Sequence, residues 1–169
     1  MGYLIQALEP AKLRAHVQKL TSTIQEFAGG YDAIAVTGNS GAIPAGILSI
    51  NLNKPIIIIR KGESSHGTEV ELPSMCDDGT VFTSQPRRYI IIDDGISTGA
   101  TIIRMRRMIA EEIDGRSTTN PDFDLYCVGI FCYNQRFIGT MNREMITDMA
   151  VRYGWDCPII CDNRILYKP

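Results

Sequence analysis

Residues 89–101 read YIIIDDGISTGAT, and this stretch decides the fold. Its first four residues are apolar and predict a buried strand, which ends in the adjacent carboxylates Asp93 and Asp94. A turn with two glycines follows, and apolar residues at helical spacing after residue 101 predict a helix. The free N–H groups and the positive end of that helix then face the same loop as the two carboxylates. The pattern predicts a phosphate site beside acceptors for vicinal hydroxyls, which together fit a ribose 5-phosphate.

The rest of the chain alternates extended and helical patterns in the same way. Unbroken apolar runs predict strands that are covered on both faces, and helical spacing between them predicts the crossovers of a parallel sheet. The predicted strands are 33–36, 56–59, 89–92, 125–131 and 159–160, and the predicted helices are 11–28, 42–51, a helix after residue 101, and 140–152 with Met141, Met145 and Met149 buried. We therefore predict an α/β fold with a mainly parallel central sheet, flanked by helices, in one domain over residues 1–169.

Composition bounds the function. The chain has 169 residues, 44% of them hydrophobic, and a formal net charge of -2, which makes nucleic acid an unlikely partner. No apolar run is long enough for a membrane helix and no secretory leader is evident, so we expect a cytoplasmic protein without a membrane partner. Five cysteines are present. Cys157 and Cys161 fall on one face of a predicted strand, but two thiols do not make a zinc site, so buried structural cysteines are favoured over metal ligands.

The whole of residues 89–101 resembles the PRPP-binding motif of the type I phosphoribosyltransferases, where PRPP is 5-phosphoribosyl 1-diphosphate. The resemblance implies that Asp93 and Asp94 bind the ribose hydroxyls and hold Mg²⁺ indirectly, mainly through ligand oxygens and water. It implies that the following residues bind the 5′-phosphate: Gly95, Ile96, Ser97, Thr98, Gly99, Ala100 and Thr101. The alternative is an ordinary strand–turn–helix whose acidic residues face solvent.

Two further segments agree with this resemblance in order and position. The small residues Gly38, Asn39, Ser40 and Gly41 follow the first predicted strand, and Arg60 and Lys61 follow the second. In the family, these places bind the diphosphate, so the resemblance makes Arg60 and Lys61 catalytic together with the two aspartates. It also implies a cis peptide at Arg60–Lys61. An ordinary βα turn and solvated charges at a strand end are the alternatives.

The acceptor base is expected across from the ribose. The resemblance implies a base site at the fourth-strand end, with Phe131, Tyr133 and Asn134 as candidates, and a small hood formed by the N-terminal segment, by residues 153–169, or by both. Trp155 is expected to pack in the core.

The long segment 62–88 takes the place of the family's flexible catalytic loop. Ser65 and His66 are the candidates there, and His66 is equally an exposed loop histidine. The segment contains no lysine, which departs from the orotate-type pattern. Arginines also follow the phosphate loop on the next helix, and a solvated helix face is favoured for them over a contact with RNA or a subunit: Arg104, Arg106 and Arg107.

The resemblance, which covers about residues 30–135, implies transfer of the 5-phosphoribosyl group from PRPP to a nitrogenous base, with release of diphosphate and formation of a nucleoside 5′-monophosphate. Purine salvage is slightly favoured, Mg²⁺ is the implied cofactor, and a homodimer is expected. The alternative is a regulator on the same fold, which binds PRPP or a nucleotide and controls nucleic acid or a partner without catalysis.

Overall fold

The computed structural model describes residues 8–61, 69–73, 88–117, 126–134, 143–161 and 163–169. Four helices and seven strands account for most of them. The helices are α1 Pro10–Phe27, α2 Gly38–Leu52, α3 Ala100–Ser117 and α4 Arg143–Arg152. The strands are β1 Ala33–Thr37, β2 Ile56–Ile59, β3 Val70–Glu71, β4 Arg88–Asp93, β5 Tyr126–Cys132, β6 Ile159–Cys161 and β7 Arg164–Tyr167.

All seven strands form one sheet, in the order β3-β2-β1-β4-β5-β6-β7. The five inner strands are parallel, whereas β3 and β7 pair antiparallel at the two edges. The predicted fold class, a mainly parallel sheet flanked by helices, is confirmed. The edge strands were not predicted, and β7 lies in the segment proposed for the hood, so residues 159–161 and 164–167 extend the central sheet.

Both faces of the sheet are covered, as its unbroken apolar strands predict. All five residues of β1 are buried, and they alternate between two cores. Ile34 and Val36 join the core under α1 and α2, while Ala33 and Ala35 join the core under α3 and α4. Burial of a large aliphatic side chain is worth about 1.5–3 kcal/mol, so this two-sided sheet supplies much of the driving force for folding. Trp155 packs in the second core and is 3% exposed, as predicted.

Two helices differ from their predicted form. Helix α2 begins at Gly38 instead of residue 42, so Pro44 lies inside the helix and the predicted small-residue loop is its first turn. Helix α4 buries Ile146 and Ala150, while Met145 is half exposed. The predicted burial of Met145 is therefore wrong, whereas Met149 packs against the core and Met141 lies outside the described residues. A ten-residue helix with scattered apolar residues does not fix its own rotation.

The four described cysteines are buried and carry free thiols: Cys127, Cys132, Cys157 and Cys161. Their predicted burial is confirmed, while Cys76 lies outside the described residues. Among the described residues, no group of three or more His, Cys, Asp or Glu side chains could hold a metal ion. In the same part of the chain, no helix combines the length and apolar character needed to cross a bilayer.

Candidate active site

The candidate site is an open cavity at the carboxyl ends of β1, β2 and β4, where parallel sheets of this kind bind ligands. Its volume is about 230 Å³, and it opens directly to solvent at its mouth. The cavity is lined by Ser40, Lys61, Asp93, Asp94, Gly95, Ile96, Ser97, Thr98, Gly99, Ala100, Thr101 and Ile102. The structure thus brings the complete segment 93–101 together with one residue from each of the two other predicted segments.

Two neighbouring carboxylates form the floor of the cavity. Asp93 is the last residue of β4 and is only 6% exposed, whereas Asp94 is half-buried in the turn that follows. The backbone N–H of Asp94 donates to Asp93 Oδ1 at 2.9 Å. Burial, together with the hydrogen bond and negative charge of Asp94, raises the pKa of Asp93 to about 7, and the charge of Lys61 opposes the shift. Asp93 is therefore a carboxyl group that exchanges its proton near neutral pH.

The wall of the cavity is the turn that leads into α3. Gly99 has φ +74°, a conformation that strains any residue with a Cβ. A Cβ on Gly99 would also overlap Met149 Sδ and approach Trp155 Cη2 to 3.0 Å. The first residues of α3 line the cavity, and a helix N-terminus at this place suits a phosphate. Ile96 anchors the turn from below, since its side chain is 2% exposed and belongs to the core.

The first turn of α2 and the end of β2 are tied to each other. Thr37 Oγ1 donates to the carbonyl of Ile59 at 2.7 Å, which joins the ends of β1 and β2. Gly38 has φ +63°, and a Cβ there would lie 2.8 Å from both Cε and Nζ of Lys61. The Lys61 ammonium therefore lies directly over Gly38 and beside the two aspartates. Gly41 fits closely against β4, because a Cβ there would be 3.1 Å from the carbonyl oxygen of Ile92.

Arg60 does not line this cavity. Its guanidinium pairs with Glu71 of β3, with Nε donating to Oε1 at 3.0 Å, and its backbone N–H donates to the carbonyl of Glu69. Arg104 of α3 donates from Nη2 to the carbonyl of Arg60 at 2.8 Å. The peptide bonds among the described residues are all trans, so the cis bond expected at Arg60–Lys61 is not present.

Two of the three arginines on α3 depart from the predicted solvated face. Arg104 is part-buried by its bond to Arg60, and the Arg106 side chain is 25% exposed and reaches Asp156 at 3.3 Å. Only Arg107, which pairs with Glu111 on the surface, fits the prediction. The position of Arg104 in the sequence could have predicted a specific contact. A cation in the first turns of a helix is unfavourable next to the positive end of the helix dipole, so it needs an acceptor of its own.

The residues at the end of β5, which were predicted to bind the base, are buried or hydrogen-bonded to other parts of the protein. Phe131 is fully buried beneath α1 and α2, so its ring has no free face for a base, and this assignment is wrong. Tyr133 is 7% exposed, and its hydroxyl donates to the carbonyl of Ser40 at 2.7 Å. The backbone N–H of Asn134 donates to the carbonyl of Asp94 at 2.9 Å. The end of β5 therefore holds the first turn of α2 and the turn after β4 in place by hydrogen bonds. Base contacts by Tyr133 and Asn134 stay a prediction.

The donor set of the site fits a magnesium ion carried by a ligand. Asp93 and Asp94 offer hard carboxylate oxygens beside a phosphate-sized cradle, and Mg²⁺ in such sites keeps several waters and binds few protein groups. Among the described residues these two carboxylates are the candidates for it. Ser65 and His66 of the predicted flexible loop lie outside the described residues.

Comparisons with known proteins agree with this architecture. No family model matches the sequence. Over 103 residues, which make up 60% of the chain, the sequence is 29% identical to an orotate phosphoribosyltransferase of Pyrococcus horikoshii and 27% identical to one of Pyrococcus abyssi. The matched region spans about half the length of these relatives, 51% and 52%.

Solved structures show the same fold at lower sequence identity. An orotate phosphoribosyltransferase from Aeropyrum pernix matches with a TM-score of 0.63 at 15% identity, covering 96% of this chain and 76% of that one. An adenine phosphoribosyltransferase from Thermoanaerobacter pseudethanolicus matches with a TM-score of 0.56 at 16% identity, covering 92% and 82%. The resemblance predicted from residues 89–101 is thereby confirmed, and the chain has the fold of the type I phosphoribosyltransferases.

Proposed function

We propose that the protein transfers the 5-phosphoribosyl group of PRPP to a nitrogen of a nucleobase and releases diphosphate. The observation that carries this proposal is the cavity itself: paired carboxylates, a glycine turn at a helix N-terminus and the Lys61 ammonium face one space. This combination matches a ligand with a diol, a monophosphate and a diphosphate. The sequence relatives named as orotate phosphoribosyltransferases support the same reaction class.

Each part of the cavity has a role in the reaction. Asp93 and Asp94 accept hydrogen bonds from the ribose hydroxyls and fix the sugar, and residues 95–101 hold the 5′-phosphate through backbone N–H groups. Lys61, above the first turn of α2, neutralises the departing diphosphate. Mg²⁺ bound through ligand oxygens near the two aspartates would add charge neutralisation on the diphosphate. The contribution of these residues is positioning and electrostatic stabilisation of the leaving group and of the positive charge that develops on the sugar.

Arg60 completes the site if its guanidinium exchanges Glu71 for the diphosphate. The side chains of both members of the pair are about two-fifths exposed. Such an exposed pair contributes little stability, so the exchange costs little. We propose this exchange as the route by which Arg60 contacts the ligand, with Arg104 holding the backbone of Arg60 in place.

The test is diphosphate release from PRPP with Mg²⁺ and a panel of bases. Orotate and adenine head the panel because both names occur among the matching proteins, and the purine preference expected from the sequence is the proposal under test. Hypoxanthine, guanine, uracil and nicotinate complete it. Release that requires one base supports the proposed transfer, whereas PRPP binding without release for any base would contradict it.

Asp94→Asn provides the residue-level test. The amide keeps the size and the backbone bonds of Asp94 but loses a charged acceptor for the ribose, so we expect a decrease in kcat/KM of about 100-fold or more. Asp148→Asn, the same substitution at an exposed position on α4, is the matched control and should leave turnover unchanged. Equal turnover of Asp94→Asn and wild type would remove the role of this carboxylate.

The assembly and location expected from the sequence are part of the proposal. Helix α2 carries exposed isoleucines, Ile47 at 38% and Ile50 at 82%, which are costly to leave in water and fit a contact with a second copy. Light scattering on the purified chain distinguishes a homodimer from a monomer. Imaging of a tagged chain in its own cells tests the cytoplasmic location.

A further inference from the structure

Two buried thiols outside the cavity approach each other between β5 and β6. Cys127, the second residue of β5, is 7% exposed, and Cys157, two residues before β6, is 1% exposed. Their Sγ atoms are 3.7 Å apart. The neighbouring backbone is fixed, since the N–H of Ile130 donates to the carbonyl of Pro158 at 2.9 Å. The two sulfurs are therefore held close together without being bonded.

Arg106 of α3 supplies a positive charge to this pair. Its Nη2 reaches Asp156 Oδ1 at 3.3 Å, its guanidinium also interacts with the Tyr89 hydroxyl, and its Nη1 is buried with no hydrogen-bond partner among the described residues. The hydrogen bond between the two thiols and the charge of Arg106 lower the pKa of Cys157, against the burial that raises it. A thiolate is the nucleophilic form of cysteine, so the surroundings favour the reactive state of Cys157.

A second cysteine pair, with one member on β5 and one on β6, serves as an internal control because burial dominates its electrostatics. Cys132 of β5 and Cys161 of β6 are direct partners in the parallel register. Burial raises the pKa of Cys132 well above its usual value and that of Cys161 to about 12. The charges of Lys19 and Arg164 lower the pKa of Cys161, but burial outweighs them, so both thiols stay protonated at neutral pH.

We propose that Cys127 and Cys157 are a thiol-oxidation site, at which peroxide converts the two thiols into a reversible disulfide. The Cys157 thiolate attacks one oxygen of hydrogen peroxide, the O–O bond breaks, and a sulfenic acid and hydroxide form. The sulfur of Cys127 then attacks the sulfenic sulfur, the S–S bond forms, and the S–O bond breaks. The leaving hydroxide takes the Cys127 proton, and the hydroxide from the first step takes the proton that the Cys157 thiol released on ionising, so one peroxide and two thiols yield one disulfide and two waters. Asp156, the residue before Cys157, is exposed, so the pair lies one residue from the protein surface.

The cysteine pair is linked through Trp155 to the glycine turn that leads into α3. Trp155 lies two residues before Cys157, and its ring packs against Gly99. Forming the bond brings the sulfurs from 3.7 Å to about 2 Å, and the segment that carries Trp155 must absorb part of this movement. Trp155 is the only tryptophan in the chain, so its fluorescence reports directly on this segment.

The experiment treats the reduced full-length chain with hydrogen peroxide, alkylates the remaining thiols, and maps the peptides by mass spectrometry. We expect the loss of two alkylatable thiols, a Cys127–Cys157 cross-linked peptide, and a shift in Trp155 emission, with all three reversed by dithiothreitol. Cys127→Ser should leave a sulfenic acid on Cys157 that dimedone traps. Cys161→Ser, the matched control, should form the cross-link as the wild type does.

Several results would overturn the proposal. They are a cross-link that contains Cys132, Cys161 or Cys76 instead, irreversible oxidation of Cys157 without a cross-link, and no loss of thiols at peroxide doses that oxidise a free cysteine peptide. The peptide map of the wild-type chain decides among these outcomes even where a serine variant fails to fold.

Discussion

Replacing Asp93 with asparagine tests whether the cavity stores unfavourable electrostatic energy in the ligand-free protein. Asparagine has the shape of a protonated aspartate, and its side-chain oxygen can still accept the hydrogen bond from the Asp94 N–H. It removes only the negative charge, which burial and Asp94 make costly. The variant therefore separates the cost of the charge from the packing of the residue.

The pKa of Asp93 sets the sign and the size of the effect. The pKa rises from 3.8 in the unfolded chain to about 7 in the folded one, so the folded protein holds a proton that the unfolded chain gives up. The resulting stabilisation is fully present below pH 4 and is lost as the pH rises towards and through 7. A shift of about three units corresponds to a ceiling of about 4 kcal/mol. Because Asp94 shares the interaction, we expect Asp93→Asn to be about 2 kcal/mol more stable than wild type at pH 8 and equally stable at pH 4.

Urea denaturation at a series of pH values between 4 and 8 measures this difference, with Asp148→Asn as the control for loss of an exposed carboxylate. The free energy of unfolding of the wild type should fall with pH relative to that of Asp93→Asn, and the gap should level off above pH 7. The variant should also lose PRPP affinity, because it lacks a charged acceptor for the ribose. A gap that is constant with pH, or a variant that is less stable than wild type at pH 8, would refute the reasoning.

Three further substitutions test how the cavity is built. Gly99→Ala should lower the free energy of unfolding by about 2–4 kcal/mol, since it combines a positive φ with steric overlap, and denaturant titration measures the loss. Tyr133→Phe removes the hydroxyl that holds the first turn of α2, and we expect a loss of about 1 kcal/mol in stability and weaker PRPP binding by calorimetry. Arg104→Met should raise the Kd for PRPP about tenfold by freeing the carbonyl of Arg60, whereas Arg107→Met should not. Unchanged PRPP binding in both Tyr133→Phe and Arg104→Met would contradict the proposal that these two hydrogen bonds hold the ligand-binding segments in place.

The parts of the molecule that depend on local pattern were predictable from the sequence. The strand and helix around residues 89–101 lie next to each other in the chain, so the cavity floor, the glycine turn and the helix start follow from one continuous motif. The fold class follows in the same way from unbroken apolar strands, because such strands need cover on both faces. The position of Lys61 near Gly38 follows from two parallel strands ending at the same edge.

The parts that depend on contacts between distant residues could not be predicted. Phe131 and Tyr133 are both aromatic and close in sequence, yet one lies in the core and the other bonds to Ser40. The choice is made by the packing of α1 and α2 on β5. Arg60 turns to Glu71 because an edge strand two residues long pairs with β2, and so short a strand has no recognisable sequence pattern.

The bonds from the end of β5 also have a consequence for how the protein acquires its binding ability as it folds. Tyr133 and Ser40 are separated by 93 positions in the chain, and Asn134 reaches Asp94 only after β5 has paired beside β4. Contacts of such long sequence separation form slowly, after the entropy of closing large loops has been overcome. A chain in which β1 and β4 have paired but β5 has not would contain the segments around Ser40 and Asp94. It would lack the hydrogen bonds from Tyr133 and Asn134 that hold these segments in place. We therefore expect the proposed PRPP binding to emerge together with completion of the sheet, so that ligand binding serves as a kinetic probe of the last step of folding.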